Sequence, residues 1–535
     1  VTMSPPTNSS RQLCRRALVL GAMTAISFPS FLCIHAKPPA ATVAARSAAR
    51  KRLTEATMSQ NLRTMEYAVR GAVVIAADKI SEEISANPGE HGHPFEKIVY
   101  TNIGNPHSVG QKPLTWPRQV MALVDLPAES GVDHPSARKL FPQDAIRRAR
   151  EIKKALGGHG TGAYSHSKGV AAFRKDVAKF IEERDGGVPS DPEMIFLTNG
   201  ASAAIGYLLT ALISNSNVGV MAPIPQYPIY SASVKLLGGN LVGYNLDESN
   251  SWEASVEELE RSLADAKKKG IKVNSFVLIN PGNPTGQVLS KKAVQDICKF
   301  CAKHNLVLLA DEVYQVNVYN EEDSFYSCKR AAHDCGLLED GSLEMASFHS
   351  VSKGLYGECG RRGGYMELVG FDSAVVDQIY KLASSNLCSC LPGQIMVSLM
   401  VRGPEVGSDA YTSHEVEKAK IFESLRRRST IVQEGLNDIP GFSCTKAAGA
   451  MYLFPSVEMP AGAVSEAKKQ GVSPDTLYAV SLLKATGICV VPGSGFGQEK
   501  GRYGFRTTFL PSEEEMNGAV KRFGTHYKDF VKEYS

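Results

Sequence analysis

The chain has 535 residues, 43% of them hydrophobic and 21% charged. That is enough to bury a large core and too much for one small domain. The formal net charge of +4 is small for this length and gives no reason to expect nucleic acid or an anionic membrane as partner. The 11 cysteines are odd in number and scattered, which argues against a disulfide scaffold and for reduced thiols in an intracellular compartment.

The N-terminus differs in kind from the rest. No Asp or Glu precedes Glu55, whereas Arg11, Arg15, Arg16, Arg46, Arg50, Lys51 and Arg52 are basic, and an apolar run spans 17–36. Its length alone would allow a membrane span, but Pro29, His35 and several Ser and Thr weaken that reading. Residues 1–60 are therefore expected to be a cleaved targeting extension, with no stable membrane insertion of the mature chain. The acid-free, Arg/Ala/Ser-rich composition points first to the mitochondrial matrix. A two-part plastid signal and a cytosolic form starting at Met58 are the alternatives.

From about Asn61 the composition turns globular. Helical patterns at 142–156 and 168–184 flank the glycine-rich turn GGHGTGAYSHSKG. Short apolar, β-prone runs then alternate with helical ones. Residues 194–197 precede SAAIGYLLTALI, 218–222 precede IPQYPIYSASVKLL, 275–279 lead into a Pro/Gly loop and helix, and 306–310 end at Asp311. Such alternation implies βαβ units and a mostly parallel sheet covered by helices on both faces. These sheets bind ligands at the carboxyl ends of their strands. After about Val401 a long charged helix, 413–436, precedes mixed segments, GAMYLFP, a helix at 474–486, GICVVPG and YGFRTTFL, which suggest a second, smaller α+β domain. The expected division is 61–165 for an N-terminal arm and part of the small domain, 166–400 for the large domain, and 401–535 for the C-terminal small domain. Cys298 and Cys301 have CxxC spacing inside a helical pattern, and Cys388 and Cys390 lie two apart. With no second CxxC nearby to complete a metal set, both pairs read as small buried residues.

The segment 347–365, SFHSVSKGLYGECGRRGGY, holds Lys353 just past the β-prone run 343–348. A lysine there, preceded by Ser350 and Ser352 and followed by glycines and an Arg pair, suits one that carries pyridoxal phosphate. Other residues after strands fit the same idea. Asp311 ends an apolar strand, where a carboxylate is costly without a cationic partner; a pyridinium N–H would serve, and helix capping is the plainer alternative. Tyr314 lies three residues on. Asn283, in the rigid loop NPGNPTG, offers an amide to a phenolate oxygen. Gly200, Ala201 and Ser202 open a helix whose free N–H groups suit a phosphate; Ser350 and an arginine after Lys353 would complete that cup. Stacking on a cofactor ring and plain core packing fit Tyr227 equally. Arg506, in an apolar strand-like run, needs a planar anion, either a substrate carboxylate or an internal salt bridge.

The order and spacing of these features resemble the class I/II aminotransferases of PLP fold type I, over roughly 61–535. Within that superfamily the segments NIGNPH, GQKPLTWPRQV, GGHGTGAYSHSKG, ERDGG, APIPQYPIYSA, NPGNPTGQVLS, DEVYQ, GAMYLFP and TGICVVPGSGFGQ are similar to those of the alanine aminotransferases. The resemblance implies reversible amino transfer between L-alanine and 2-oxoglutarate by a ping-pong route, in a homodimer. It makes Lys353 the cofactor-bonding lysine and proton shuttle, and pairs Asp311 with the ring nitrogen. Tyr314 and Asn283 would bind the phenolate oxygen, and Gly200, Ala201, Ser202 and Ser350 the phosphate. Tyr227 would stack on the ring, and Arg506 would hold the substrate carboxylate near Gly104 and Asn283. Tyr164 would reach the phosphate in the partner subunit. Related enzymes place the phosphate arginine eight residues after the lysine, at Arg361; one extra residue in the alanine aminotransferase pattern favours Arg362. A glutamate:glyoxylate aminotransferase shares most of these motifs. A PLP-dependent lyase such as an aminocyclopropane-carboxylate synthase is a more distant alternative. A PLP-fold transcription regulator would need a helix-turn-helix segment that 1–60 lacks.

Overall fold

The computed structural model describes residues 51–67, 71–158, 160–499 and 501–535. The targeting segment expected at 1–60 lies mostly outside them. Residues 51–58 belong to a separate unit, 1–58, and form turns, with the Met58 N–H donating to the Thr54 carbonyl. The second unit, 59–535, holds everything that follows.

Its first strand is β1, Val99–Tyr100. The central sheet has seven strands: β2 (Ile195–Thr198), β3 (Val218–Ile224), β4 (Asn240–Asn245), β5 (Lys272–Ile279), β6 (Val307–Asp311), β7 (Met345–Ser350) and β8 (Gly364–Val369), in the order β2-β8-β7-β6-β5-β3-β4. All neighbouring pairs are parallel except those made by β8, which runs antiparallel to β2 and β7. Helices follow the parallel strands, as βαβ connection requires. Ala201–Leu212 follows β2, Ile229–Leu236 follows β3, and Lys291–His304 follows β5. β6 and β7 are buried along their whole length, which explains the near-continuous apolar sequence of β6; β7 also buries Ser347, His349 and Ser350.

Local chemistry sets the boundaries. Ser290 caps the helix Lys291–His304 by accepting from the Ala293 N–H, and Ser473 caps Pro474–Thr486 with proline at its first position and Gly487 in the left-handed region after its last. The helical pattern expected for IPQYPIYSASVKLL begins only at Ile229, because Pro225 and Pro228 each deny the backbone a donor and restrict the residue before them.

The C-terminal third adds short strands: β9 (Phe442–Ser443), β10 (Tyr452–Leu453), β11 (Ser456–Val457), β12 (Ile488–Cys489), β13 (Val491–Pro492) and β14 (Phe505–Thr508). β14 lies between β10 and β13, antiparallel to both. β1 pairs in parallel with β12, so the segment before the large sheet joins the layer built by the C-terminal third. Long helices Tyr411–Asn437 and Glu513–Tyr534 pack on these strands. No helix among the described residues is long and apolar enough to cross a membrane.

Cys298 and Cys301 are buried in the apolar core, as expected. The expectation for the other pair is corrected. Cys388 is half-buried and Cys390 exposed, because they lie in the loop that leads into the helix Leu391–Val401, with Cys390 at its N-cap.

Candidate active site

The carboxyl ends of β2, β3, β5, β6 and β7 open into a cavity of about 570 Å³, closed on its far side by Ile103–Asn105, Tyr452 and Arg506. Among its lining residues Lys353, Arg362 and Arg506 are cationic and Asp311 alone is anionic. A concave wall of that sign favours a dianionic ligand and a carboxylate.

Lys353 follows β7 in a turn eased by Gly354 at φ +65°. Its Nζ donates to the Gly104 carbonyl at 2.7 Å. Gly104 has no room for a side chain: a Cβ there would lie 2.7 Å from Lys353 Nζ and 2.5 Å from the Tyr452 hydroxyl. Asp311 closes β6 and is 3% exposed. Its Oδ2 accepts from the Tyr230 hydroxyl at 2.9 Å, while Oδ1 is buried without a partner. Burial pushes its pKa up to about 6, against the pull of the Tyr230 hydroxyl, the Val313 N–H and the Lys353 charge. An orphaned carboxylate oxygen aimed into a cavity is an acceptor in want of a cationic N–H.

At the opposite wall, Gly200 (φ +79°) precedes the helix Ala201–Leu212 and frees its first N–H groups. Arg362, itself left-handed at φ +55°, lies over Gly200. Its Nη2 donates to the Asn199 carbonyl at 3.0 Å and is 3.4 Å from Ser202 Oγ. Ser350 lines the same corner, with its Oγ donating to the Gly363 carbonyl at 3.0 Å and accepting from the Ser352 N–H at 3.1 Å. Arg361 does not line this cavity. It turns towards Glu358 at 3.8 Å, a carboxylate already gripped by both Nε and Nη2 of Arg118 at 2.7 and 2.8 Å.

Arg506 projects from β14 and is 1% exposed. The internal salt bridge considered for it is not found: no carboxylate pairs with it among the described residues. Instead its Nη1 donates to Asn283 Oδ1 at 3.0 Å, its Nη2 donates to the Asn102 carbonyl, and its Nε is buried without a partner. The guanidinium carbon stands 4.4 Å from the Tyr452 ring centroid and 5.0 Å from that of Phe496. A buried cation held by neutral acceptors and ring faces lacks the anion that would stabilise it. Asn283 turns its oxygen to Arg506, which leaves its amide N–H₂ for the cavity.

Tyr227 lines the cavity, and its hydroxyl lies 3.2 Å from that of Tyr67; burial raises it well above the ordinary tyrosine value. Tyr314 is buried, and its hydroxyl donates to Tyr452 at 3.0 Å. Tyr164 is not brought to this cavity; it is 79% exposed. Gly200, Ala201, Ser202, Tyr227, Asn283, Asp311, Tyr314, Ser350, Lys353, Arg362, Gly104 and Arg506 all converge here. Tyr67 and Tyr452 also line it, and Tyr230 supports Asp311 from behind. Tyr452 lies within GAMYLFP and Tyr230 within APIPQYPIYSA, so the motifs held them, but nothing in the local spacing marked either hydroxyl as facing the site.

Residues 132–523 match the family model of aminotransferase class I and II. The chain belongs to this family and is an aminotransferase. It is 48% identical to a probable mitochondrial alanine aminotransferase of Dictyostelium discoideum, over 91% of this chain and 90% of that protein. It is 45% identical to glutamate–glyoxylate aminotransferase 1 of Arabidopsis thaliana, over 90% and 98%. The solved structure of an alanine aminotransferase from Pyrococcus furiosus superposes with a TM-score of 0.67 at 25% identity, covering 88% of this chain and all of that one. Substrates of the class are amino acids and 2-oxo acids.

Proposed function

We propose that this chain is a pyridoxal-phosphate-dependent alanine aminotransferase that exchanges an amino group between L-alanine and 2-oxoglutarate. The observation that carries the reading is a pair of buried groups that line the same cavity as Lys353: Asp311 Oδ1, which has no partner, and the Arg506 guanidinium, which has no carboxylate. One suits a pyridinium N–H and the other a substrate α-carboxylate. The residues present therefore fit the cofactor.

Bound there, pyridoxal phosphate supplies an aldehyde that bonds amines and a ring that takes up the electron pair released at the substrate Cα. The protein's part is to bind, orient and move a proton. The first turn of Ala201–Leu212, with Ser202, Ser350 and Arg362, would hold the phosphate. The Asp311 carboxylate, oriented by Tyr230, would keep the ring nitrogen protonated. Asn283 and Tyr314 would face the phenolate oxygen, and the Tyr227 ring would lie against the cofactor ring. Arg506 would fix the α-carboxylate so that the Cα–H points at Lys353, whose Nζ would take that proton and pass it, within the same half-reaction, to the cofactor carbon that bore the aldehyde. Tyr164, exposed and away from its own cavity, fits a contribution to the phosphate site of a partner subunit in a homodimer. The division into a large domain, 166–400, and a small domain formed by 61–165 and 401–535 agrees with the pairing of β1 with β12. The mitochondrial relative and the acid-free, arginine-rich N-terminus support a mitochondrial destination.

The test is a half-reaction screen. L-alanine should convert the bound cofactor to its amine form, and 2-oxoglutarate should restore it. Faster restoration by glyoxylate than by 2-oxoglutarate would favour the glutamate–glyoxylate reading; turnover without any oxo-acid acceptor would overturn both.

A further inference from the structure

Tyr452 has a place in this site that the reading above does not use. It begins β10, which is pinned on both sides. Gly449 donates to the Gly286 carbonyl at 2.8 Å and Ala450 to the Asn317 carbonyl at 3.0 Å, with Ala450 at φ +59°. Across the strand pair Tyr452 faces Thr508, two residues from Arg506. The side chain is 2% exposed and touches three parts of the site at once. Its ring lies under the Arg506 guanidinium at 4.4 Å. Its oxygen accepts from the Tyr314 hydroxyl at 3.0 Å. The same oxygen and Lys353 Nζ crowd one point beside Gly104, whose carbonyl accepts a hydrogen bond from Lys353 Nζ at 2.7 Å. Burial alone would raise the Tyr452 hydroxyl; the nearby Lys353 and Arg506 charges and the hydrogen bond from Tyr314 hold it below the ordinary tyrosine value. Among the described residues the titratable and charged groups around it are therefore Lys353, Arg506, Tyr314 and, beyond Tyr314, Tyr227 and Asp311.

We propose that Tyr452 is a positioning residue for proton transfer: its hydroxyl oxygen and the Gly104 carbonyl together hold the Lys353 amine where it meets the Cα–H of a substrate whose carboxylate sits on Arg506. The inference rests on the aminotransferase reading given above. The ring and the oxygen have separable duties. The ring supports Arg506, and hence substrate binding; the oxygen orients the lysine, and hence the proton transfer. A benzene ring alone would keep the first and lose the second.

Tyr452→Phe makes that separation. Loss of one hydrogen bond at a charged nitrogen predicts a half-reaction with L-alanine slowed by about tenfold or more, with the KM for alanine changed by less than about twofold. The deuterium isotope effect at Cα should rise, because the proton transfer becomes more limiting. In cofactor-free protein, acylation of Lys353 relative to surface lysines, read by mass spectrometry, should increase as the amine loses an acceptor. An unchanged rate, isotope effect and Lys353 reactivity would overturn the proposal. So would a fall in rate and cofactor content together with an unchanged isotope effect, which would make the hydroxyl merely structural. If the variant does not fold, 3-fluorotyrosine at position 452 weakens the acceptor without changing its bulk; an unaltered half-reaction then overturns the proposal equally. Failure of the unsubstituted protein to react with alanine would instead sink the underlying function, so the two failures are distinct.

Discussion

Two adjacent arginines follow Lys353, and the structure assigns them different surroundings. Arg362 stands over Gly200, so close that a Cβ on Gly200 would lie 2.7 Å from its Nη2. It also reaches Ser202 and lines the cavity. Arg361 points to Glu358 at 3.8 Å and is 31% exposed. Replacing Arg362 by alanine removes a guanidinium from the proposed phosphate site. A hydrogen bond to a charged group contributes about 1.5–3 kcal/mol, so the dissociation constant for pyridoxal phosphate should rise roughly 10- to 150-fold. The backbone adds no further cost, since arginine and alanine bear the left-handed φ at this position alike. Arg361→Ala loses only a long ion pair to a carboxylate that Arg118 already holds. Such pairs contribute about 0–1 kcal/mol, and the loss falls on stability, leaving cofactor affinity within roughly twofold. Absorbance titration of each cofactor-free variant measures the effect directly. Loss of cofactor by Arg361→Ala with retention by Arg362→Ala would refute the assignment.

Three other outcomes follow from particular contacts. Burial lifts Asp311 to about 6, and the ionised form is the one that can pair with a ring N–H. Affinity of the cofactor-free protein for pyridoxal phosphate should therefore be full above about pH 6 and fall below it, and Asp311→Asn should bind weakly with that dependence gone; a flat profile in the unsubstituted protein would contradict this. Gly104→Ala should drive Lys353 and Tyr452 from their places and reduce turnover by at least about tenfold, whereas Gly206→Ala, whose Cβ would meet nothing within 4 Å, should be silent in the same assay. Lys329 and Glu367 form an ion pair at 2.6 Å, each side chain 2% exposed. Lys329→Met should cost about 3–5 kcal/mol in urea unfolding by leaving Glu367 buried without its cation, and a smaller loss would mean that the Ser190 hydroxyl, 2.6 Å from the same oxygen, satisfies the carboxylate alone.

The large sheet was legible because parallel, two-sided burial leaves strands as unbroken apolar runs. β3, β5 and β6 lie where such runs end in a loop. β4, with glycine and asparagines in NLVGYN, and β8, opening on Gly364, carry weaker signals, and neither was evident. The polar residues that line the cavity were legible one by one, since Asn283, Asp311, Ser350 and Lys353 end or follow a strand, Arg506 lies within one, and each is costly to bury without a partner. Their mutual contacts were not. The hydroxyl of Tyr230 on Asp311 and of Tyr452 beside Lys353 depend on segments 81 and 99 residues apart meeting in space, and no local periodicity encodes that. The exposed Cys390 shows the reverse error, in which residue type suggested burial but the loop's position at a helix N-cap decided.

Lys353 is proposed to bond the cofactor and to carry the proton. The direct measurement is the visible spectrum of purified Lys353→Ala reconstituted with pyridoxal phosphate, before and after L-alanine is added, beside the unsubstituted protein. The absorbance band of the lysine-bound cofactor should be absent from the variant, addition of alanine should give no conversion to the amine form, and both should be present in the unsubstituted protein. A variant that retains the band and transaminates at the unsubstituted rate would contradict it.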